Sequence, residues 1–353
     1  MEVITMKKHR ILICALILAV LGGMAVWAGG EQEAGPKAVP AETEAGPGDI
    51  DVGISFASKQ TIFYQQAEDM LKQAAKNWEQ ETGRKMNINV TVADADVARQ
   101  AANIEDLIAR QPDIILMVPQ DSKAIVSSIK AAHRAGIKAM TFIRAASPDA
   151  EEPADAHVGL DTINQAYVAG RYLLKMMEDD GVEPKIIHVI GDLRDENAVN
   201  RQLGFEKAAR EFDATILTTV PSEWNPDKAL SGLSAALQAY PDANALFVAS
   251  DFLLGAVQTA CERVGKWAPY GEPNHMYHAN VDVQPNALVP IEQGYIDVNT
   301  LWDHYKQGIA AVETIVALVD GQTLPTTEIL VKPRIVTPEN IASMENISSR
   351  NYQ

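Results

Sequence analysis

Residues 114–144 read IILMVPQDSKAIVSSIKAAHRAGIKAMTFIR, and their periodicity decides the fold class. Ile114–Val118 is an unbroken apolar run of strand length, as expected of a strand covered on both faces. Residues 122–135 follow with a helical period. Gly136 stands just past them, where a left-handed C-cap suits a residue without a Cβ. Residues 139–142 form a second short apolar run. Strand, helix and strand in succession predict a parallel pair joined by a right-handed crossover.

The same unit repeats in both directions along the chain. Apolar runs at 52–56, 88–92, 186–190, 214–220, 245–249, 276–279 and 296–300 read as strands. Helical periods occupy 63–82, 98–110, 164–179, 200–212, 227–239 and 252–264. Such units are too many for one comfortable sheet. The rhythm pauses at 147–156, a Pro- and acid-rich loop, and restarts after Asp161. The expected class is therefore α/β, with two doubly wound, Rossmann-like parallel-sheet lobes. Ligands of such sheets bind outside the carboxyl ends of the strands, so two facing lobes make a cleft lined by residues just after each strand.

The 353 residues suffice for two ordinary domains, and 47% apolar with 22% charged residues is globular composition. A formal charge of −17 repels polyphosphate, so no nucleic-acid partner is expected. Two cysteines, Cys14 and Cys261, cannot build a disulfide scaffold. The N-terminus differs from the rest. Lys7, Lys8 and Arg10 precede the apolar run 11–21, and Val26 and Ala28 fit a small-residue cleavage site. That run is far short of the roughly 20 residues that span a bilayer, so residues 1–28 read as a cleaved export signal. Cleavage leaves a charge of −19 and one cysteine. Cys14 lies inside the apolar run, too early for lipid attachment, so a periplasmic protein without a lipid anchor is expected. Residues 29–48, rich in Gly, Pro, Ala and Glu, read as a flexible acidic leader.

Ser58 and Lys59, then Phe63 and Tyr64, follow the first strand; Arg144 follows the fourth. Asn197 and Arg201 come after 186–190, Trp224 after 214–220, Ser250 after 245–249, Asp282 after 276–279 and Trp302 after 296–300. Aromatic faces beside charged hydrogen-bonding groups are what a sugar needs, since its C–H faces pack on rings while each hydroxyl both donates and accepts. Arginine's planar fork can serve two oxygens at once. Each residue also has a plainer reading. Phe63, Tyr64 and Trp302 could be core, Trp224 a helix staple, Arg144 and Arg201 surface residues. Asp121 and Asp251 read as helix N-caps. His275 and His278 are not spaced as a metal pair in this setting, and neither a glycine-rich phosphate loop nor a nucleophile elbow is found. No cofactor, metal or catalysis is expected.

Several runs resemble one family in order and separation. They are Gln100-Ala101-Ala102-Asn103-Ile104-Glu105-Asp106-Leu107, Val118-Pro119-Gln120-Asp121-Ser122, Arg201-Gln202-Leu203-Gly204-Phe205 and Ala249-Ser250-Asp251-Phe252-Leu253-Leu254-Gly255-Ala256. The chain from about Asp49 to Arg334 resembles the periplasmic sugar-binding proteins of ABC transporters, of ribose/galactose/xylose type. The resemblance implies three hinge crossings, near Leu160, Trp302 and Val331. It thus implies an N-terminal lobe of 49–160 plus 303–330, a C-terminal lobe of 161–302 plus 331–340, and a tail of 341–353. It also implies an aromatic pair at Phe63 and Tyr64, facing arginines at Arg144 and Arg201, an aromatic wall at Trp224 and a hydroxyl acceptor at Asp282. Three positions depart from the family pattern: Ile143 for Asp, Ser250 for Asn and Trp302 for Gln. With no acid before Arg144, and Lys59 nearby, the pocket is expected to be more cationic than a ribose pocket, which admits an acidic sugar, a sugar alcohol or a signalling furanose.

The function expected is capture of a monosaccharide, polyol or sugar derivative by closure of two lobes around it, with delivery to a membrane ABC permease by a monomeric protein. The alternative is a secreted sugar or autoinducer sensor that presents its ligand to a chemoreceptor or sensor kinase.

Overall fold

The computed structural model describes residues 48–352; the expected export signal and all but the last residue of the acidic leader lie outside them. The fold is two α/β lobes. The first holds a six-stranded, wholly parallel sheet. Its strands are β1 (Ile50–Phe56), β2 (Met86–Val92), β3 (Ile114–Val118), β4 (Lys138–Phe142), β5 (Ala156–Leu160) and β11 (Glu328–Val331), in the order β11-β5-β4-β3-β1-β2. The second holds β6 (Lys185–Ile190), β7 (Thr215–Pro221), β8 (Ala245–Val248) and β9 (Tyr277–Ala279), parallel in the order β7-β6-β8-β9.

The period of two in the strands distributes the core. In β3, Ile114, Leu116 and Val118 face the helices α1 (Ile62–Thr82) and α9 (His304–Val319). Ile115 and Met117 face α2 (Val97–Ala109) and α3 (Ile125–Arg134). With both faces covered, every residue of this strand is buried, which is why it reads as a continuous apolar run. The second lobe repeats the scheme. Ile187 and Val189 pack on α6 (Pro226–Ala239) and α7 (Leu254–Arg263), while Ile186 and Phe247 pack on α4 (Thr162–Asp179) and α5 (Glu196–Glu211). The glycines just past four helices, at 83, 136, 181 and 265, all take the left-handed conformation, with φ between 68° and 76°.

Three strands were not legible as such. β5 falls where the rhythm pauses, yet it pairs with β4 and β11. The expected strand at 296–300 is instead β10 (Asn299–Leu301), antiparallel to β12 (Arg334–Val336), and Val298 touches Ala279 only through an isolated bridge. The chain leaves the first sheet after Leu160 and after Val331, and returns to it through α9 after Leu301. The expected C-terminal tail of 341–353 is packed where it is described, up to Tyr352. Ile341 and Ile347 join a buried cluster with α8 (Pro285–Glu292), and Ser348 and Ser349 are buried beside it.

One polar pair in the second lobe gives stability a pH dependence. His275 Nδ1 faces the Ala268 carbonyl (2.8 Å) and Nε2 faces Asp297 Oδ2 (3.1 Å). Burial disfavours the charged ring, but the carboxylate and the carbonyl outweigh it and hold the pKa above 6.5. A raised folded-state pKa contributes stability that is complete below the unfolded value and is lost as pH rises through the folded one. The melting-temperature advantage of wild type over His275→Gln should therefore shrink as pH rises through the window above about 6.5. A difference that stays constant over that window would show that the charged ring plays no part.

Candidate functional site

Every loop that leaves a carboxyl strand end toward the cleft contributes to one cavity of about 240 Å3. Ser58 and Gln60 come from the loop after β1, and Phe63 and Tyr64 from the first turn of α1. Ile143 and Arg144 follow β4; Asp192, Arg194 and Asp195 follow β6. Asn197 and Arg201 project from one face of α5, four residues apart. Trp224, Ser250 and Asp282 follow β7, β8 and β9, and Trp302 stands on the crossing after β10. Left-handed backbone at non-glycine residues clusters here: Ile143 (φ 66°), Trp224 (53°) and Asp282 (103°). For the β-branched Ile143 this is a true outlier, held by its N–H on the Val158 carbonyl (2.9 Å) and by the Asn197 amide donating to its own carbonyl (3.1 Å).

Two arginine–carboxylate pairs dominate the electrostatics. Arg201 is buried and spends its fork on Gln165 Oε1 (3.0 Å), the Ala249 carbonyl (2.7 Å) and Asp282 Oδ1 (2.5 Å), with its guanidinium 5.5 Å from the Trp302 ring centre. Asp282 Oδ2 accepts from Ser250 Oγ (2.6 Å). Arg144 Nε meets Asp195 Oδ2 at 2.9 Å, and the Trp224 indole donates to the same oxygen at 3.1 Å. Gly191 makes room for that indole, since a Cβ there would lie 2.2 Å from its Cζ2. The Tyr64 hydroxyl is pushed up to about 12, chiefly by burial, so it stays protonated and able to donate.

Asp251 is not the N-cap expected. Ser250 caps the short 3-10 turn at 251–253, and Asp251 is wholly buried beneath the cavity. It accepts from Asn280 (2.7 Å), Asn299 (3.0 Å) and the Gln284 N–H (2.9 Å). Burial, and then the charge of Asp282, pushes it up to about 7 against those donors. Asp121 is not the N-cap of α3 either, which is Ala124; it accepts from the N–H groups of Lys123 and Ala124 in the turn before that helix.

Ser58, Phe63, Tyr64, Arg144, Asn197, Arg201, Trp224, Ser250, Asp282 and Trp302 all line the cavity. Lys59 does not. Its ammonium pairs with Glu68, a largely buried carboxylate on α1, and lies 5.5 Å from the Phe56 ring centre. Phe63 and Tyr64 stand at 86° to each other, so one flat guest can stack on only one of them. Trp302 lies in the first lobe's core and is also among the residues that line the cavity. In place of an excess of cation, the lining sets acids against its arginines. With Lys59 turned away, Arg144, Arg194 and Arg201 face Asp192, Asp195, Glu223 and Asp282. Asp195 supplies, from the opposite lobe, the acid missing before Arg144. Gln120, Gln284 and Phe252 also line the site and went unselected, although each follows a strand end closely.

The family model for the periplasmic binding protein domain matches residues 52–323. This chain belongs to that family. The periplasmic binding proteins similar to it include the ribose import binding protein of Escherichia coli K12, 29% identical over 194 residues. That match covers 54% of this chain and 63% of the relative, less than two thirds of its length. The D-ribose/D-allose-binding protein of Pseudomonas aeruginosa is 28% identical over 296 residues, covering 81% and 86%. Among solved structures, an ABC transporter solute-binding protein from Mycobacterium smegmatis with bound glycerol superposes with a TM-score of 0.74 at 23% identity, over 85% of this chain and 99% of that one. Among the described residues no helix is long and apolar enough to cross a membrane, and no cluster of three metal-ligating side chains occurs.

Proposed function

We propose that the protein captures a neutral monosaccharide or polyol between its lobes in the periplasm and delivers it to an ABC permease. The observation that carries this reading is the pairing of each cavity arginine with a carboxylate. Such a lining presents donors and acceptors in alternation and has no uncompensated cation, so it suits hydroxyls, which need both, better than a sugar acid. The rings of Phe63, Trp224 and Trp302 supply apolar faces for C–H groups. A volume just under the roughly 300 Å3 of the smallest drug-sized pockets fits one small guest. The names of the related proteins, for ribose, for ribose and allose, and with glycerol bound, point to the same chemistry.

A thermal-shift screen with paired neutral sugars, polyols and sugar acids tests the reading. A true ligand at about a hundredfold its Kd adds about 2.7 kcal/mol to stability. A neutral compound is expected to give that shift, and its uronic or aldonic counterpart to give none. A response to the acids alone would overturn the proposal. Trp224→Ala should weaken the responding sugar by roughly tenfold or more, as loss of an aromatic wall requires, while the ligand-free protein melts as a folded domain. Uptake of that sugar by cells should cease when the permease is deleted.

A further inference from the structure

We propose that Asp195 is a closure-positioning residue, a carboxylate of the second lobe that charge-pairs the pocket's Arg144 only when the lobes are shut. This rests on the sugar-capture reading of the same cavity and goes beyond it by naming what holds the cavity closed. Arg144 belongs to the first lobe, where its contacts are a carbonyl, Pro119 O at 3.2 Å, and the face of Tyr64, 5.7 Å from the guanidinium. Its carboxylate partner comes from across the cleft. The side chains of Arg144 and Asp195 are 11% and 4% exposed, so the pair is formed out of water.

Asp195 is itself rigidly placed. Its Oδ1 caps α5 by accepting from the Asn197 N–H (3.0 Å), which leaves Oδ2 aimed at Arg144 and at the Trp224 indole. Around the pair the lobes meet directly. The Ser122 N–H donates to the Arg194 carbonyl (3.1 Å), the Glu196 N–H to Ser122 Oγ (3.2 Å), and the Asn197 amide to the Ile143 carbonyl (3.1 Å). None of these bonds needs a guest. Opening the cleft would break all of them and return both charges to water.

A consequence for kinetics follows. In the open form Arg144 is hydrated and receives the sugar as any arginine would, so association does not depend on Asp195. In the closed form the Arg144 charge is buried, and without its partner it is left uncompensated. Truncating one member of a buried pair acts mainly on dissociation. Asp195→Asn is the informative variant, because asparagine caps a helix as well as aspartate does and α5 keeps its start.

Stopped-flow binding of D-ribose to wild type, Asp195→Asn, Arg144→Met and the double variant reads the effect. Asp195→Asn should leave the association rate within about twofold and raise the dissociation rate about thirtyfold or more. The double variant should be far less impaired than the product of the single effects. An unchanged dissociation rate, or single effects that simply multiply, would overturn the proposal. If wild type ignores D-ribose, it is the choice of sugar, and not the clasp, that has failed. The clasp is then read with the compound that gives the largest thermal shift, where Asp195→Asn should again raise the dissociation rate about thirtyfold or more and an unchanged rate overturns it.

Discussion

Arg201→Ala is expected to abolish all sugar-dependent stabilisation and to destabilise the ligand-free protein by about 3–5 kcal/mol. Both effects come from one geometry. Among the described residues the guanidinium is the only cation bonded to Asp282, and both side chains are almost fully buried. Removing it leaves a carboxylate out of water with one hydroxyl, Ser250 Oγ, as its remaining side-chain donor. A second acid, Asp251, lies just beneath and already feels the charge of Asp282. The Ala249 carbonyl and Gln165 Oε1 lose their donors as well. Arg201→Lys should recover little, since a single ammonium cannot reach three divergent acceptors as a planar fork does. Urea unfolding of the ligand-free variant and its thermal response to the cognate sugar are separate readouts. A variant that retained either wild-type stability or a full ligand shift would show that the Arg201–Asp282 pair does not organise the site.

The fold was legible wherever burial on both faces imposes a continuous apolar run. The residues of β3 and β8 are buried throughout and stand out in the sequence for that reason. β5, with the sequence Ala-His-Val-Gly-Leu, and the edge strand β11 carry no such mark. They become strands because β11 pairs with β5 at a separation in sequence that no local window spans. The site was legible to the extent that chain position dictates it, because a parallel sheet places every residue after a strand at the same rim. What position does not dictate is where a long side chain turns. Lys59 sits in the correct loop, but its stem carries the ammonium to Glu68, whose burial demands a counter-charge. Asp195 also follows a strand end, but that position does not name its partner. Locally it is an ordinary helix cap, and its partner Arg144 becomes visible only once two lobes are placed face to face. In the C-terminal segment, Ile341 and Ile347 were signals available in the sequence, two isolated apolar residues that a solvated tail would not need.

The second large effect concerns the platform behind the site. Gly204→Ala is expected to destabilise the protein by about 3 kcal/mol and to eliminate sugar binding, although the residue does not line the cavity. A Cβ at 204 would lie 2.1 Å from the Ile163 carbonyl oxygen, 3.0 Å from its carbon and 3.1 Å from the Tyr167 nitrogen. These are backbone atoms of α4, so no rotamer change relieves the clash. The α4 and α5 axes must separate instead. Arg201 and Asn197 ride on α5, and the Arg201–Gln165 bond runs between the two helices, so any separation pulls the guanidinium off the cavity wall. The adjoining contact is equally tight, since a Cβ at Gly170 would meet the Phe205 ring at 2.8 Å, and the displaced α5 would also lose its stacking of Phe205 on Phe247. Gly255→Ala is the matched control. It is also a helical glycine, but nothing lies within 4 Å of its added Cβ. There the gain in helix propensity should appear uncompensated, as a stabilisation of a few tenths to about 1 kcal/mol with binding intact. Opposite signs for the same chemical change, measured by urea denaturation, would separate helix contact from helix propensity. A Gly204→Ala variant as stable as Gly255→Ala would mean that α5, and with it the arginine of the second lobe, is not held by backbone contact with α4.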